Sequence, residues 1–244
     1  MALIICMAGL NTRFHDVGFD IPKYLLPWGE STIIQELLTN LMKGYEFGQV
    51  ILLANKRDSY FKNKLLENIK PLGLNEESIY YIGDTIGQAQ TASIGAQIVS
   101  DHNAPLFIHN ADTILINRDF NKIVEALKKY DAFIDVFIAN SPKYCYIKSS
   151  EGKVLEIAEK KAISPFASSG LYCFQSSHSY LENYNNFSDS VTKDMELYIS
   201  NVMSHMLSHG KTITVNELEH FPETIVLGSP QEYGIELAKK RLNL

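Results

Sequence analysis

Four short apolar runs, spaced by segments of helical periodicity, fill the first 130 residues and dictate a parallel α/β sheet. The runs are residues 2–7, 50–54, 79–82 and 106–109. Each is short, largely branched or aliphatic, and lacks a polar face, the pattern of a strand buried on both sides. After the first, Trp28-Gly29 reads as a turn and Thr32-x-x-Gln35 offers a capping box. Ile33, Ile34, Leu37, Leu38, Leu41 and Met42 then give the stripe of a helix packed on a sheet, closed by Gly44. A polar helical stretch extends to about Lys70, and a helix of small residues is expected over residues 88–99. Such alternation calls for parallel strands joined by crossover helices. Ligands gather at the carboxyl ends of these strands, where Gly9, Gly87 and Asp112 fall.

The second half changes character. Residues 133–139, 144–148, 154–158 and 171–174 read as short strands, with Glu151-Gly152 as a hairpin turn. The expectation is an antiparallel extension of the same sheet. A helix is expected from about Thr192 to Ser208, closed by Gly210, then a strand over residues 213–215. The last helix opens at Ser229-Pro230, with Ser229 and Glu232 as its capping box. With no repeat or linker in view, residues 1–244 read as one domain of two lobes divided near residue 130.

Composition narrows the function classes. The chain has 244 residues, 45% hydrophobic and 20% charged, which suits an ordinary globular protein and not a disordered one. A net charge of −6 leaves no basic stripe to displace counterions, so nucleic acid is not an expected partner. Cys6, Cys145 and Cys173 are odd in number and embedded in apolar runs, so buried reduced thiols are expected, not a disulfide frame or a zinc site. No apolar run approaches 18 residues, and no secretory or lipidation signal is visible. A cytoplasmic protein without a membrane partner is expected.

Chemistry concentrates in a few places. Ala8-Gly9-Leu10-Asn11-Thr12 is a small, polar loop in which Gly9 allows close backbone approach to a ligand. Arg13 follows it, and Lys23 follows Pro22 ten residues on. A planar fork and a compact ammonium suit a polyphosphate, although two such cations would also serve as plain solvated surface. The loop is neither a Walker A nor a G-x-G-x-x-G fingerprint. The segment from Gly83 to Ala92, with Gly87, Gln88 and Ala89 at its centre, could hold a nucleobase against backbone or be a plain helix start. Asp112 is a hard oxygen ligand suited to phosphate-bound Mg²⁺, and equally a helix cap or turn former. Glu159-Lys160, with Lys161 as a neighbour in register, reads in isolation as solvated surface. His109 reads as structural, the tyrosines (Tyr144, Tyr172 and Tyr198 among them) as strand and core material, and His205 with His209 as helix-end cations more than metal ligands.

Taken together, Met7-Ala8-Gly9, Arg13-Phe14 and Pro22-Lys23-x-Leu25-Leu26 resemble the opening signature of the sugar-nucleotidyltransferase superfamily, with Asn11 in place of a second glycine. Within it the stretch from Gly18 to Pro27 is similar to the capsule-biosynthesis branch, in particular the cytidylyltransferases of capsular phosphoramidate biosynthesis, which join CTP to phosphorylated L-glutamine. The resemblance runs from Met1 to about Tyr233. It implies a Rossmann-like, mainly parallel sheet flanked by helices, with residues 1–130 holding the nucleotide and 131–244 the acceptor. It further implies an Mg²⁺-dependent transferase in which Arg13 and Lys23 are catalytic, and Ala8 to Asn11, Gly87, Gln88, Ala89 and Asp112 bind the nucleotide. Asp112 would ligate the metal. Glu159, Lys160 and Gly170 would meet a small phosphorylated acceptor, glutamine phosphate first and a sugar 1-phosphate with CTP, UTP, dTTP or GTP next. Relatives complete the metal site with an Asp where this chain has Val226, so Asp194, Glu196 and Glu223 are the alternative carboxylates. A glycosyltransferase would want a D-x-D motif that Ala111-Asp112-Thr113 lacks, and a catalytically silent nucleotide-binding regulator could dispense with Lys23 or Asp112.

Overall fold

The computed structural model describes residues 1–190, 196–216 and 223–242. The first run of the sequence forms β1 (Ala2–Met7), followed by a short helix α1 (Thr12–His15) and a small hairpin, β2 (Pro27–Trp28) and β3 (Ser31–Thr32). Next come α2 (Ile33–Met42), β4 (Gln49–Asn55), α3 (Lys62–Ile69), β5 (Ile79–Ile82), α4 (Gln88–Ile98) and β6 (Leu106–Asn110). The chain continues through β7 (Thr113–Leu115), α5 (Phe120–Leu127), β8 (Ala132–Ile138), β9 (Cys145–Ser150), β10 (Lys153–Glu159) and β11 (Phe166–Phe174). Helices α6 (Ser177–Ser188) and α7 (Ile199–Ser208), strands β12 (Ile213–Val215) and β13 (Thr224–Val226), and α8 (Pro230–Leu242) complete it.

Nine strands form one sheet in the order β5-β4-β1-β6-β11-β8-β12-β10-β9. The first four in that order are mutually parallel, as the alternation requires. β11 reverses the direction, lying antiparallel to both β6 and β8. The extension is not wholly antiparallel: β12 runs parallel to β8, and β10 then pairs antiparallel with both β12 and β9. A parallel partner needs a long crossover, and residues 139–212 supply one. Glu151 and Gly152 make the β9–β10 turn with φ of 50° and 76°, as a tight hairpin demands.

Residues of β1 alternate between two cores, one on each side of the sheet. Leu3, Ile5 and Met7 face α2, α3 and α5, whereas Ala2 and Ile4 face α4, α6 and α7. Leu3, Ile4 and Ile5 are all fully buried, each worth roughly 1.5–3 kcal/mol. The expected cap of α2 forms, with Thr32 Oγ1 accepting from the Gln35 amide at 3.4 Å. Glu232 N likewise donates to Ser229 Oγ at the start of α8. Three helices go beyond the sequence expectation, the short α1 and the longer α5 and α6. The helix expected from Thr192 begins at Ile199 among the described residues, Thr192 lying outside them. No described helix is long and apolar enough to cross a membrane.

A buried ion pair ties the two-stranded antiparallel sheet of β7 and β13 to the main sheet. Arg118 Nε and Nη2 donate to Asp135 on β8, and Nη1 donates to the carbonyls of Ile116 and Glu223. At the other end of β8, Asp131 Oδ2 accepts from Thr212 N at 2.7 Å and Thr212 Oγ1 at 2.9 Å, fixing β12 beside it. Burial pushes the Asp131 carboxyl up, but the Thr212 hydrogen bonds and the Lys211 charge outweigh it and hold it below the ordinary carboxylate range. A depressed pKa stabilises the fold above the unfolded value and ceases to do so as pH falls through the folded one. Asp131→Asn should therefore cost about 1–2 kcal/mol near neutrality. In urea melts the gap to wild type should be full above the ordinary aspartate pKa of about 4 and shrink as pH falls below it. A gap that does not narrow on acidification would contradict this role.

Candidate active site

The carboxyl ends of β1 and β6 open into a cleft of about 790 Å³, with the loop after β1 as its floor. Ala8, Gly9, Leu10 and Asn11 line that floor. Asn11 takes the left-handed conformation, with φ of 59°, and so performs the turn that glycine makes in the family signature. Asparagine is among the few other residues that adopt it readily. The turn opens α1, on which Arg13 lines the cleft and Phe14 is buried. Phe14, Phe19 and Tyr233 pack edge to face at 5.7 to 6.3 Å, and Tyr233 Oη donates to Pro27 O at 2.7 Å, so α8 braces both ends of the loop.

Lys23 stands just after Pro22, on a short turn whose next residues, Tyr24 and Leu25, are buried. Its Nζ lies 2.6 Å from Asp112 Oδ2, joining the two strand ends across the cleft. Burial would raise the Asp112 carboxyl, but the Lys23 ammonium and its hydrogen bond outweigh that and hold it below the usual range. His109 is fully buried and donates from Nε2 to Thr113 O at 2.7 Å, a structural residue as expected. Burial keeps this imidazole neutral by lowering its pKa.

On the facing wall Gly87 has φ of 147°, open in practice only to glycine. A β-carbon there would sit 2.6 Å from Leu197 N. The contact is a clamp: Leu197 N donates to Ile86 O at 2.9 Å, and Ala89 N donates to Leu197 O at 2.8 Å. Gln88 lines the cleft and donates from Nε2 to Asn110 Oδ1, whereas Ala89 is fully buried behind the loop. Asn110 also presses on Gly170, where a β-carbon would come within 2.6 Å of its Cγ. Gly170 lies in the irregular part of β11, between Ser168 and Tyr172, with φ of 88°.

The far wall comes from the second half. Lys160 ends β10 with φ of 56°, a strained value for a lysine, and reaches into the cleft, where Nζ donates to Tyr198 Oη at 2.9 Å. The Tyr198 hydrogen bond chiefly raises its pKa, so it stays cationic. Glu159 Oε2 accepts from Ser200 Oγ at 2.7 Å. Lys161 is exposed and does not line the cleft. Tyr144, Tyr172 and Tyr198 all line it; Tyr172, buried on β11, is strand and core as read, whereas Tyr144 and Tyr198 lie outside the strands and are only half-buried, which corrects the reading for those two. Cys6 also reaches the cleft and is only half-buried, while Cys145 and Cys173 are buried; all three are free. Burial pushes the Cys6 thiol up to about 12, so it is inert at neutral pH.

Among the described residues no three His, Cys, Asp or Glu groups gather to hold a metal. Val226 pairs with Thr113 across β13 and β7, so a valine stands beside Asp112 where the resemblance implied a carboxylate. Glu223 contributes only its carbonyl to Arg118 and Ile116 N in the contacts it shows, Glu196 bonds Tyr198, and Asp194 lies outside the described residues. One ionised carboxylate at the mouth of a cation-lined cleft fits Mg²⁺, which keeps most of its shell as water and substrate phosphate. His205 and His209 stack at 4.0 Å at the end of α7, with His209 Nδ1 against His205 O.

Residues 2–217 match the family model "Nucleotidyl transferase". Among solved structures, a nucleoside-diphosphate-sugar pyrophosphorylase from Vibrio cholerae RC9 is 25% identical, with a TM-score of 0.82 over 97% of this chain and 99% of that one. The inositol-1-phosphate CTP transferase from T. maritima (14% identity, TM-score 0.72) and a UDP-glucose pyrophosphorylase solved with UDP-glucose (20%, 0.73, 99% of this chain and 98% of that one) share the fold. The T. maritima match covers 98% of this chain and 95% of that one. No curated protein matches the chain. A Rossmann-like sheet, a cation-lined cleft at its strand ends and a family match over most of the sequence lead to one conclusion: the chain belongs to the nucleotidyl transferase family.

Proposed function

We propose that the chain transfers a cytidylyl group from CTP to a small phosphorylated acceptor, phosphorylated L-glutamine first, and releases pyrophosphate. The observation that carries the reading is the convergence of Arg13, Lys23 and Asp112 from one half, and Lys160 from the other, on one cleft. The likeness of residues 18–27 to the capsule-branch cytidylyltransferases favours CTP, and assigns the product to capsular polysaccharide modification. A sugar 1-phosphate is the second reading, favoured by the neighbour from Vibrio cholerae, which is described as a sugar-nucleotide pyrophosphorylase.

The base rests on Gly87 and Gln88, with Ala89 supporting from behind, and the triphosphate lies over Ala8 to Asn11. Arg13 grips phosphate oxygens through its fork. Lys23 leaves Asp112 for the phosphates as substrate enters, an exchange of one anionic partner for another. Lys160, beside Gly170 and Glu159, holds the acceptor phosphate. An acceptor phosphate oxygen attacks the α-phosphorus in line: the new O–P bond forms as the α-to-β bridging P–O bond breaks, and the electron pair leaves with pyrophosphate. No covalent nucleophile is needed; positioning and charge neutralisation carry the rate. Asp112 would hold Mg²⁺, which supplies neutralisation of the phosphate charge.

The test is pyrophosphate release from CTP, UTP, GTP, dTTP and ATP with Mg²⁺, each paired with phosphorylated glutamine and with sugar 1-phosphates. Release confined to CTP with glutamine phosphate is expected. Release with sugar 1-phosphates alone would replace the acceptor and keep the chemistry.

A further inference from the structure

A second cavity of about 490 Å³ adjoins the cleft on the far side of Asp112 and Lys160. Both line it, so it opens from the place where an acceptor phosphate would be held. Its outer wall carries one charge of each sign, Lys143 and Glu232, in an ion pair with each other. Tyr144 Oη donates to Glu232 Oε1 at 2.8 Å, and Ser229 Oγ donates to Oε2 at 2.7 Å. Between Glu232 and Asp112 stands Gly228. A β-carbon there would lie 3.3 Å from Asp112 Oδ2 and 3.7 Å from Glu232 Oε2, so the missing side chain keeps the passage between cleft and cavity open.

We propose that this cavity is the distal acceptor subsite, and that Lys143 and Glu232 recognise an acceptor whose far end carries both a carboxylate and an ammonium. The proposal rests on the phosphorylated amino acid reading above and adds the residues that read it. The pair sits on the surface of a cavity, 40% and 18% exposed in its side chains, and so is open to exchange. A zwitterion can replace it without stranding a charge: Lys143 turns to the incoming carboxylate, and Glu232 to the ammonium. An uncharged sugar ring would leave the pair closed and gain only hydroxyl contacts. Glu232 is ready for the exchange as an anion. Burial raises its carboxyl, but bonds from Lys143, Ser229 and Tyr144 outweigh that and hold it below the ordinary value. Phe137 and Pro142 supply the apolar wall along which a short methylene chain can lie.

The test compares three acceptors with CTP and Mg²⁺: phosphorylated glutamine, the same compound lacking its amine, and the same compound lacking its carboxylate. Glu232→Gln and Lys143→Gln are each assayed beside wild type. Glu232→Gln should raise KM for phosphorylated glutamine on the order of 10-fold or more, and leave the amine-free acceptor unchanged. Lys143→Gln should do the same with respect to the carboxylate. KM for CTP should not move in either. Equal losses on all three acceptors, or none, would overturn the subsite while phosphorylated glutamine remains the substrate of the wild type. A wild type that turns over sugar 1-phosphates and no amino acid would instead overturn the acceptor reading and the subsite with it. Thermal melts of both variants separate a lost contact from a loosened α8, and a variant that melts well below wild type is replaced by Tyr144→Phe, which should raise KM only for acceptors that bear the amine.

Discussion

Lys23→Ala should lower kcat/KM on the order of 10²–10³-fold and leave the fold intact, as expected for a preorganised charge aimed at a reacting phosphate. The ammonium is held by a short backbone turn after Pro22 with Tyr24 and Leu25 buried beneath it, so the position is fixed before substrate arrives. Its resting partner, Asp112, keeps the charge localised at 2.6 Å until the phosphates replace it. Lys23→Arg should recover little, because a branched planar fork cannot occupy the space of a compact ammonium. Arg13→Ala should cost a comparable factor, and here Arg13→Lys should recover part of the charge but not the bidentate grip. Steady-state kinetics with a circular-dichroism melt check this. Turnover of an alanine variant within about threefold of wild type would remove that residue from the mechanism.

Gly87→Ala should raise the nucleotide KM by as much as 100-fold, through backbone strain alone. The conformation at φ of 147° costs a non-glycine residue about 1–3 kcal/mol. The added carbon would also meet Leu197 N at 2.6 Å, and a backbone atom cannot swing aside as a side-chain tip can. Relief requires residues 83–87 and 196–198 to part, which breaks the Leu197 bonds to Ile86 and Ala89. Because Tyr198 in the same segment holds Lys160, the acceptor KM should rise with it. Gly234→Ala, with open space around it in α8, is the control and should be neutral to slightly stabilising. An unchanged nucleotide KM in Gly87→Ala would show that this loop does not carry the base.

The parallel half of the sheet was legible because its signals are local. A buried strand, a small-residue turn and an amphipathic helix each announce themselves within a few residues, and Ala2 to Met7 became β1 at the same bounds. The same window placed Gly9, Gly87 and Asp112 at strand ends. Helix α5 carried a readable stripe, with Phe120, Ile123 and Leu127 buried and Asp119 as cap, that went without notice. Helix α6 was harder, since its serines and asparagines disfavour helix and only Tyr180, Asn183 and Phe187 among its longer side chains turn inward. The parallel placement of β12 is fixed by its partner β8 some 80 residues earlier, and no local pattern encodes it.

The far wall of the cleft was legible only in part. Glu159 and Gly170 lie on β10 and β11, Lys160 directly follows β10, and all three line the cleft. Lys143 and Tyr144 lie between strands, and their partner Glu232 read as a helix cap. It is a cap, and its carboxylate also lines a cavity, a double use that spacing along the chain cannot show. Tyr144, Tyr172 and Tyr198 were lost among thirteen tyrosines for the same reason.

The central claim is transfer to an acceptor at the α-phosphorus, and acceptor dependence of pyrophosphate release tests it most directly. The purified chain is given CTP and Mg²⁺, and pyrophosphate and orthophosphate are followed before and after phosphorylated acceptor is added. The account predicts that neither forms at first, and that pyrophosphate then appears in step with a cytidylylated acceptor. Pyrophosphate released at the same rate without acceptor, or orthophosphate in its place, would contradict it.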